Sequence, residues 1–138
     1  MTRALLVLAV LASMAAPVQA EHEVYYRYTV IGYVKDAAGA PLRDQPLEIT
    51  RDKTGFSYLA RTDESGVFLL ITRLGDETVG ESLTLRQGAA STKLIVRFDP
   101  ANHTDERGTR VDLEGGRFVE RAAWFRSTLT QVLSSTQR

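Results

Sequence analysis

The sequence predicts an all-β fold, a seven-stranded antiparallel sandwich, with an added C-terminal amphipathic helix. Short segments of alternating apolar and polar residues recur at a spacing of about ten residues, which is typical of sandwiches. Turns rich in Gly, Asp and Pro separate these segments. After residue 120 the period changes, and one helix face collects four apolar residues: Phe125, Leu129, Val132 and Leu133.

The first twenty residues have the parts of a secretory signal peptide. Arg3 supplies positive charge, residues 4–16 are mostly apolar, and Val18-Gln19-Ala20 places small residues where a signal peptidase cuts. A membrane-spanning helix needs roughly 20 apolar residues, so this stretch is short for an anchor. We predict cleavage after Ala20 and a periplasmic or secreted protein, with an uncleaved anchor as the alternative.

The composition limits the chemistry. The chain has no cysteine, which excludes thiolate zinc sites, iron–sulfur clusters and thiol catalysis. It has 17 basic and 17 acidic residues, so no basic excess points to nucleic acid. We predict three segments: the signal peptide at 1–20, the sandwich at 21–115 and a helical extension at 116–138.

The first predicted strand covers residues 24–35. Val30 and Val34 lie on one face, with Tyr25, Arg27 and Tyr33 on the other. This alternation, rich in β-branched and aromatic residues, indicates a half-buried strand.

Six further strands follow. Residues 67–72 are apolar on both sides, which predicts a central strand. Residues 81–86 and 91–98 form a hairpin around Gly88, and residues 99–108 form a long polar loop. The remaining predicted strands are 47–51, 56–61 and 110–113.

Two sequence motifs lie at turns between these strands. They read G-x-V-x-D-x-x-G-x-P-L and T-D-x-x-G-x-F. The residues are Gly32, Val34, Asp36, Gly39, Pro41, Leu42, Thr62, Asp63, Gly66 and Phe68. They resemble the carboxypeptidase regulatory-like domain, a transthyretin-like (prealbumin-like) β-sandwich, over roughly residues 29–98. The chain departs from that pattern at Asp44-Gln45-Pro46, which is polar and stiff. The resemblance implies a non-catalytic module that accompanies enzymes, receptors or envelope assemblies.

Two enzyme families have similar sandwiches. Hydroxyisourate hydrolases use histidines, an arginine and a C-terminal tetrapeptide with a tyrosine, whereas this chain ends in residues 134–138 without one. Intradiol dioxygenases share the G-x-V-x-D-x-x-G-x-P run but hold iron with two tyrosines and two histidines. Because His22 and His103 are the only histidines, we predict no enzyme and no cofactor.

Metal binding is the less favoured interpretation of each candidate ligand group. His22 lies near the mature terminus and could bind copper, but a solvated terminus is favoured. His103 is followed by Asp105 and Glu106, but zinc wants three or four good ligands. Asp63 lies in a turn that lacks the alternating acidic pattern of a calcium loop.

A candidate binding surface remains. Tyr25, Arg27 and Tyr33 share the face opposite the predicted core, and Trp124 and Phe125 lie at the start of the predicted helix. Exposed aromatic residues can stack on sugars or anchor a partner. The alternative is that the C-terminal helix covers them.

These observations predict a non-catalytic accessory or protein-interaction module of the cell envelope. The expected partner is another envelope or secreted protein, with no nucleic acid and no membrane span in the mature chain. The alternatives are a carbohydrate-binding module that uses the tyrosines and, less favoured, a transthyretin-like enzyme.

Overall fold

The computed structural model describes residues 24–136, so the predicted signal peptide and His22 lie outside the described residues. The chain forms two four-stranded sheets and one C-terminal helix. The strands are β1 (Arg27–Lys35), β2 (Pro46–Arg51), β3 (Phe56–Arg61), β4 (Val67–Arg73), β5 (Ser82–Gln87), β6 (Ala90–Ile95), β7 (Gly108–Glu114) and β8 (Arg117–Glu120), and the helix is α1 (Phe125–Thr136). The predicted all-β sandwich with a C-terminal helix is confirmed at this level.

The strands are arranged in the orders β4-β1-β7-β8 and β3-β2-β5-β6, and the core lies between the two sheets. Alternate residues of each strand point into this core, as the period of two requires. The buried members of the core include Val30, Ile49, Phe68, Leu85 and Val111. The predicted hairpin around Gly88 joins β5 and β6.

The prediction of a wholly antiparallel sandwich is wrong at β1. This strand pairs antiparallel with β4 but parallel with β7, in the register Val30 to Thr109. Gly32 fits this close pairing, because a Cβ there would lie 1.7 Å from the carbonyl oxygen of Val111. Parallel pairing joins segments distant in sequence, which local periodicity does not reveal.

The predicted strand count of seven is also wrong, because β8 is an eighth strand. It pairs with β7 through a tight turn in which Gly115 and Gly116 have φ angles of 57° and 83°. Two consecutive glycines with positive φ suit a two-residue hairpin. β8 lies within the segment 116–138 that we assigned to the helical extension.

The predicted central strand, β4, is an edge strand that pairs with β1 alone. Phe68 and Leu70 point into the core, while Leu69 on the other side packs under α1. Cover from the helix, rather than a central position, explains the apolar outer face at Leu69, whereas Ile71 on the same face remains 54% exposed.

The two turn motifs meet at one end of the sandwich. In each, an aspartate accepts two backbone N–H hydrogen bonds at 2.9 Å: Asp36 from Ala38 and Ala40, and Asp63 from Ser65 and Val67. A further hydrogen bond joins the turns, because the amide of Val34 donates to the carbonyl of Gly66 at 2.8 Å. The motif residues therefore shape and join turns.

Helix α1 lies on the outer face of the first sheet. Phe125 and Leu129 pack against Ile31 of β1, with Leu69 and Val132 at the margin of this second cluster. Within residues 24–136, no helix is long and apolar enough to span a bilayer.

Candidate ligand-binding cleft

The structure divides the predicted binding surface into two parts. Tyr33 and Trp124 lie on either side of the guanidinium of Arg110, whose Cζ is 4.9 Å and 5.3 Å from their ring centroids. At the opposite end of β1, Arg27 pairs with Glu106. Tyr25 stacks on His103 and lies in the 3₁₀ turn Val24–Tyr26, so the predicted first strand begins at residue 27 rather than 24. Phe125, the first residue of α1, is buried against Ile31 of β1.

The first part is built on a buried carboxylate, Asp112, whose side chain is 2% exposed. Arg110 donates to it through Nη2 at 2.9 Å, and Arg121 donates through Nη1. The backbone amide of Tyr33 donates to the same carboxylate at 3.1 Å. Asp112 is thus fully engaged with its neighbours in β1, β7 and the segment after β8.

The two arginines of this cluster have further partners. Nη1 of Arg110 donates to the hydroxyl of Thr128 on α1 at 3.0 Å, and Nη1 of Arg121 donates to Glu114 at 2.6 Å. The carboxylates of Glu114 and Asp112 raise the pKa of Arg121 above its ordinary value. Trp124 covers the cluster while remaining 53% exposed. These contacts fasten the start of α1 to the sheet.

The second part of the predicted binding surface, around Tyr25 and Arg27, borders a cleft of about 270 Å³, which we call the end cleft. The loop between β6 and β7 forms one wall, and the 3₁₀ turn Ala122–Trp124 with the start of α1 forms the other. Its lining residues are Arg97, Phe98, Asp99, Asn102, Asp105, Glu106, Arg107, Gly108, Ala122, Ala123, Phe125 and Arg126.

Arg107 is the distinctive member of the end cleft, because it is a charged residue only 3% exposed. Its guanidinium lies over the ring of Phe98, with Cζ 4.0 Å from the centroid. Nη1 donates to the carbonyl of Tyr25 at 2.9 Å, and Nη2 donates to that of Asn102 at 3.0 Å. Nε is buried and has no hydrogen-bond partner.

Asp76 is the counter-ion of Arg107, and the pair is imperfect. Its Oδ1 lies 2.8 Å from Nη1 of Arg107 but is not aligned for a hydrogen bond. Its Oδ2 lies 2.9 Å from Nε2 of His103. The contact with Arg107, and secondarily that with His103, lowers the pKa of Asp76 below its ordinary range.

Three larger surface hollows lack a comparable group. They measure about 520 Å³ beside Asp63, about 660 Å³ beside Phe56 and about 470 Å³ beside Asp36. None of the three is lined by a charged residue as buried as Arg107. A buried polar atom without a partner calls for an explanation, so the end cleft is the stronger site.

Sequence reasoning missed the central residues of the end cleft. Arg107 fell within a predicted polar loop, and nothing in the local pattern marks it as buried. The signal that could have been used is the length of the loop 99–108, because long loops in compact domains are often functional.

Residues 24–136 do not hold the iron-ligand set of intradiol dioxygenases, which includes two histidines. Within residues 24–136, no three His, Asp or Glu side chains converge as metal ligands. His103 is the histidine of this range, and it contacts Asp76 and the ring of Tyr25.

Comparison with solved structures finds similarity to dioxygenases. The dioxygenase domain of a dioxygenase carbohydrate-binding protein fusion from Streptomyces sp. SirexAA-E is 21% identical, with a TM-score of 0.43 over 69% of this chain and 75% of that chain. Catechol 1,2-dioxygenase from Acinetobacter sp. ADP1 is 13% identical, with a TM-score of 0.44 over 70% of this chain and 53% of that chain. 3-Chlorocatechol 1,2-dioxygenase from Rhodococcus opacus 1CP is 19% identical, with a TM-score of 0.43 over 72% and 61%. No family model and no curated protein matches the chain.

These similarities contradict our prediction of a non-catalytic accessory module that is not an enzyme, because the similar structures are enzymes. The TM-scores of 0.43 and 0.44 are too low to carry an argument about the reaction of this chain. The function must therefore be argued from the end cleft itself.

Proposed function

We propose that this protein binds a small carboxylate-bearing ligand in the end cleft. The observation that carries the proposal is the buried guanidinium of Arg107, whose Nε–H lacks a protein partner in the wall of that cleft. An unsatisfied buried donor costs about 1–3 kcal/mol, and a bound acceptor would remove that cost.

The chemistry of the cleft favours an anionic group on the ligand. A guanidinium is a donor fork that matches the two oxygens of a carboxylate. Three cationic side chains, Arg97, Arg107 and Arg126, line this small volume. Arg107 is paired with Asp76 and Arg126 with Asp105, whereas Arg97 forms no ion pair with another residue of 24–136.

The size of the cleft limits the ligand. About 270 Å³ is near the lower end of the range for small-molecule sites. Ala122, Ala123 and Phe125 supply an apolar wall, so a short aliphatic acid suits the cleft better than a large planar one.

The test is isothermal titration calorimetry of the full chain with succinate. We expect saturable binding that weakens about tenfold in Arg97→Gln, because a charge-assisted hydrogen bond contributes about 1.5–3 kcal/mol. Arg86→Gln is the matched control, because Arg86 is exposed on β5 and pairs loosely with Glu48 at 3.8 Å.

If neither succinate nor any other small carboxylate-bearing probe binds saturably up to about 10 mM, the proposal is overturned, because specific recognition gives dissociation constants of about 1 mM or less. Equal weakening in Arg97→Gln and Arg86→Gln would also overturn it, since that result indicates non-specific charge attraction.

We further propose that the sandwich belongs to the carboxypeptidase regulatory-like, transthyretin-like class and is exported. The joined turns of Asp36 and Asp63 support the first statement, and the composition of residues 1–20 supports the second. Mass spectrometry of the chain from its native host tests export, and a mature chain that begins at Glu21 is the expected result.

A further inference from the structure

We infer that the ligand of the end cleft is a zwitterion, a small amino acid that carries both an ammonium and a carboxylate. This inference rests on the proposed carboxylate-binding function and adds the second charged group of the ligand. It follows from the balance of charges around the cleft.

Six charged side chains line the end cleft, and four of them are paired within the protein. Both carboxylate oxygens of Glu106 accept from Arg27, at 3.1 Å and 2.5 Å. Asp105 accepts from Arg126 at 3.0 Å and from the side-chain Nδ2 of Asn102 at 2.9 Å. Arg107 is paired with Asp76.

The contacts of Asn102 and Arg126 lower the pKa of Asp105 below its ordinary value. Asp105 is therefore an ionised carboxylate committed to the wall of the cleft. Its charge is already balanced by Arg126, so neither group of this pair needs a ligand.

The remaining two charges, Arg97 and Asp99, are of opposite sign and exposed, and neither forms an ion pair within residues 24–136. They are separated by Phe98, which packs against the core near the ring of Tyr28. Oδ1 of Asp99 accepts from the amide of Ala101 at 3.0 Å, which leaves Oδ2 available. The cleft thus offers one unpaired cation and one unpaired carboxylate oxygen.

This pattern selects against a ligand with a single charge. A simple carboxylate that reaches Arg97 also comes near Asp99, and like charges repel. A simple amine that reaches Asp99 meets Arg97 and Arg107. An amino acid places its carboxylate on the arginines and its ammonium on Asp99, while a short side chain packs on Ala122 and Ala123.

The test compares three matched probes by titration calorimetry with the full chain. Valine carries both groups, isovalerate lacks the ammonium, and isobutylamine lacks the carboxylate. We expect valine to bind at least tenfold more tightly than either, because each missing group leaves a charged partner unsatisfied.

Two variants assign the contacts. Asp99→Asn keeps the acceptor for the amide of Ala101, so the loop retains its turn, and we expect it to weaken valine about tenfold while isovalerate binds no worse. Arg97→Gln should weaken both valine and isovalerate. The controls are Glu64→Gln and Arg86→Gln, exposed residues away from the end cleft, which should bind all probes as the parent does.

The outcomes separate the two proposals. If isovalerate and succinate bind and respond to Arg97→Gln but valine is no tighter, the zwitterion inference is wrong and the carboxylate function stands. Isobutylamine binding as tightly as valine would also overturn the inference. If no carboxylate-bearing probe binds, both proposals fail.

Discussion

Arg107 and Arg110 are three residues apart in the chain, yet they lie in environments of opposite character. Arg110 uses Nε, Nη1 and Nη2 on Asp112 and Thr128, so each nitrogen has a partner. Arg107 uses Nη1 and Nη2 on backbone carbonyls, and its Nε has none. Their counter-ions differ in the same way, because the side chain of Asp112 is 2% exposed and that of Asp76 is 41% exposed.

The difference shows that two arginines close together in the sequence can have partner sets of opposite completeness. The Asp112 cluster is closed, since its donors and acceptors satisfy one another and join β7 to α1. The Arg107 cluster is open, since it keeps a donor unused next to a cleft. Closed clusters favour a structural role, whereas open ones are where a ligand gains most.

The largest expected effect comes from breaking the closed cluster with Asp112→Asn. Removing the charge leaves Arg110 and Arg121 without their shared counter-ion, and breaking such a buried pair costs about 3–5 kcal/mol. Urea unfolding followed by circular dichroism measures the change. Glu114→Gln is the control, because Glu114 is half-exposed and should cost less than about 1 kcal/mol. Equal losses in the two variants would contradict the closed-cluster interpretation.

A smaller effect is expected at Gly108, which follows Arg107 and begins β7, the strand that carries Arg110 and Asp112. A Cβ there would lie 1.9 Å from the carbonyl oxygen of Thr29 and 2.7 Å from the ring of Phe125. Gly108→Ala must therefore push β7 from β1 or displace Phe125, at a cost of about 1–3 kcal/mol. Thermal unfolding measures this loss of stability. Gly88→Ala is the control, because a Cβ at this turn residue would contact nothing, although its φ of 55° adds backbone strain. If Gly108→Ala is as stable as the parent, β1 and β7 are not tightly packed at this position.

The smallest effect is expected from Asp76→Asn, because the half-exposed carboxylate keeps much of its hydration. The lowered pKa of Asp76 means that its charge stabilises the folded state above the ordinary carboxyl pKa, and that this contribution is lost as the pH falls through the lowered value. The difference in unfolding free energy between parent and variant should be constant above about pH 5 and should shrink below about pH 4. If the difference in unfolding free energy instead grows as the pH falls, the ionised carboxylate of Asp76 does not stabilise the folded state.

The parts of the fold that were predictable depend on short-range chemistry. The turn aspartates could be assigned because each bonds to amides within four residues, as Asp63 does with Ser65 and Val67. The helix was predictable because Phe125, Leu129 and Val132 of its apolar stripe pack around Ile31. The fourth member of the predicted stripe, Leu133, is 47% exposed.

The parts that were not predictable depend on contacts between distant segments. Asp112 reads as an ordinary polar position of a strand, and only the amide of Tyr33, 79 residues away, and the two arginines reveal its burial. Arg107 reads as a loop residue, because Phe98 and Asp76, which enclose it, come from separate loops. The candidate surface grouped Tyr25 with Tyr33, although the two lie at opposite ends of β1 and serve different clusters.

The parallel pairing of β1 with β7 also determines the order in which the molecule can assemble. β1 is the first strand along the chain, and its second neighbour is the seventh, so one edge of β1 stays open until most of the sequence has been made. Bringing such distant segments together slows folding, because the entropy of closing the long intervening loop is lost before the contacts form. A chain that stops short of β7 leaves that edge unpaired, and an unpaired edge is a template for association with another chain.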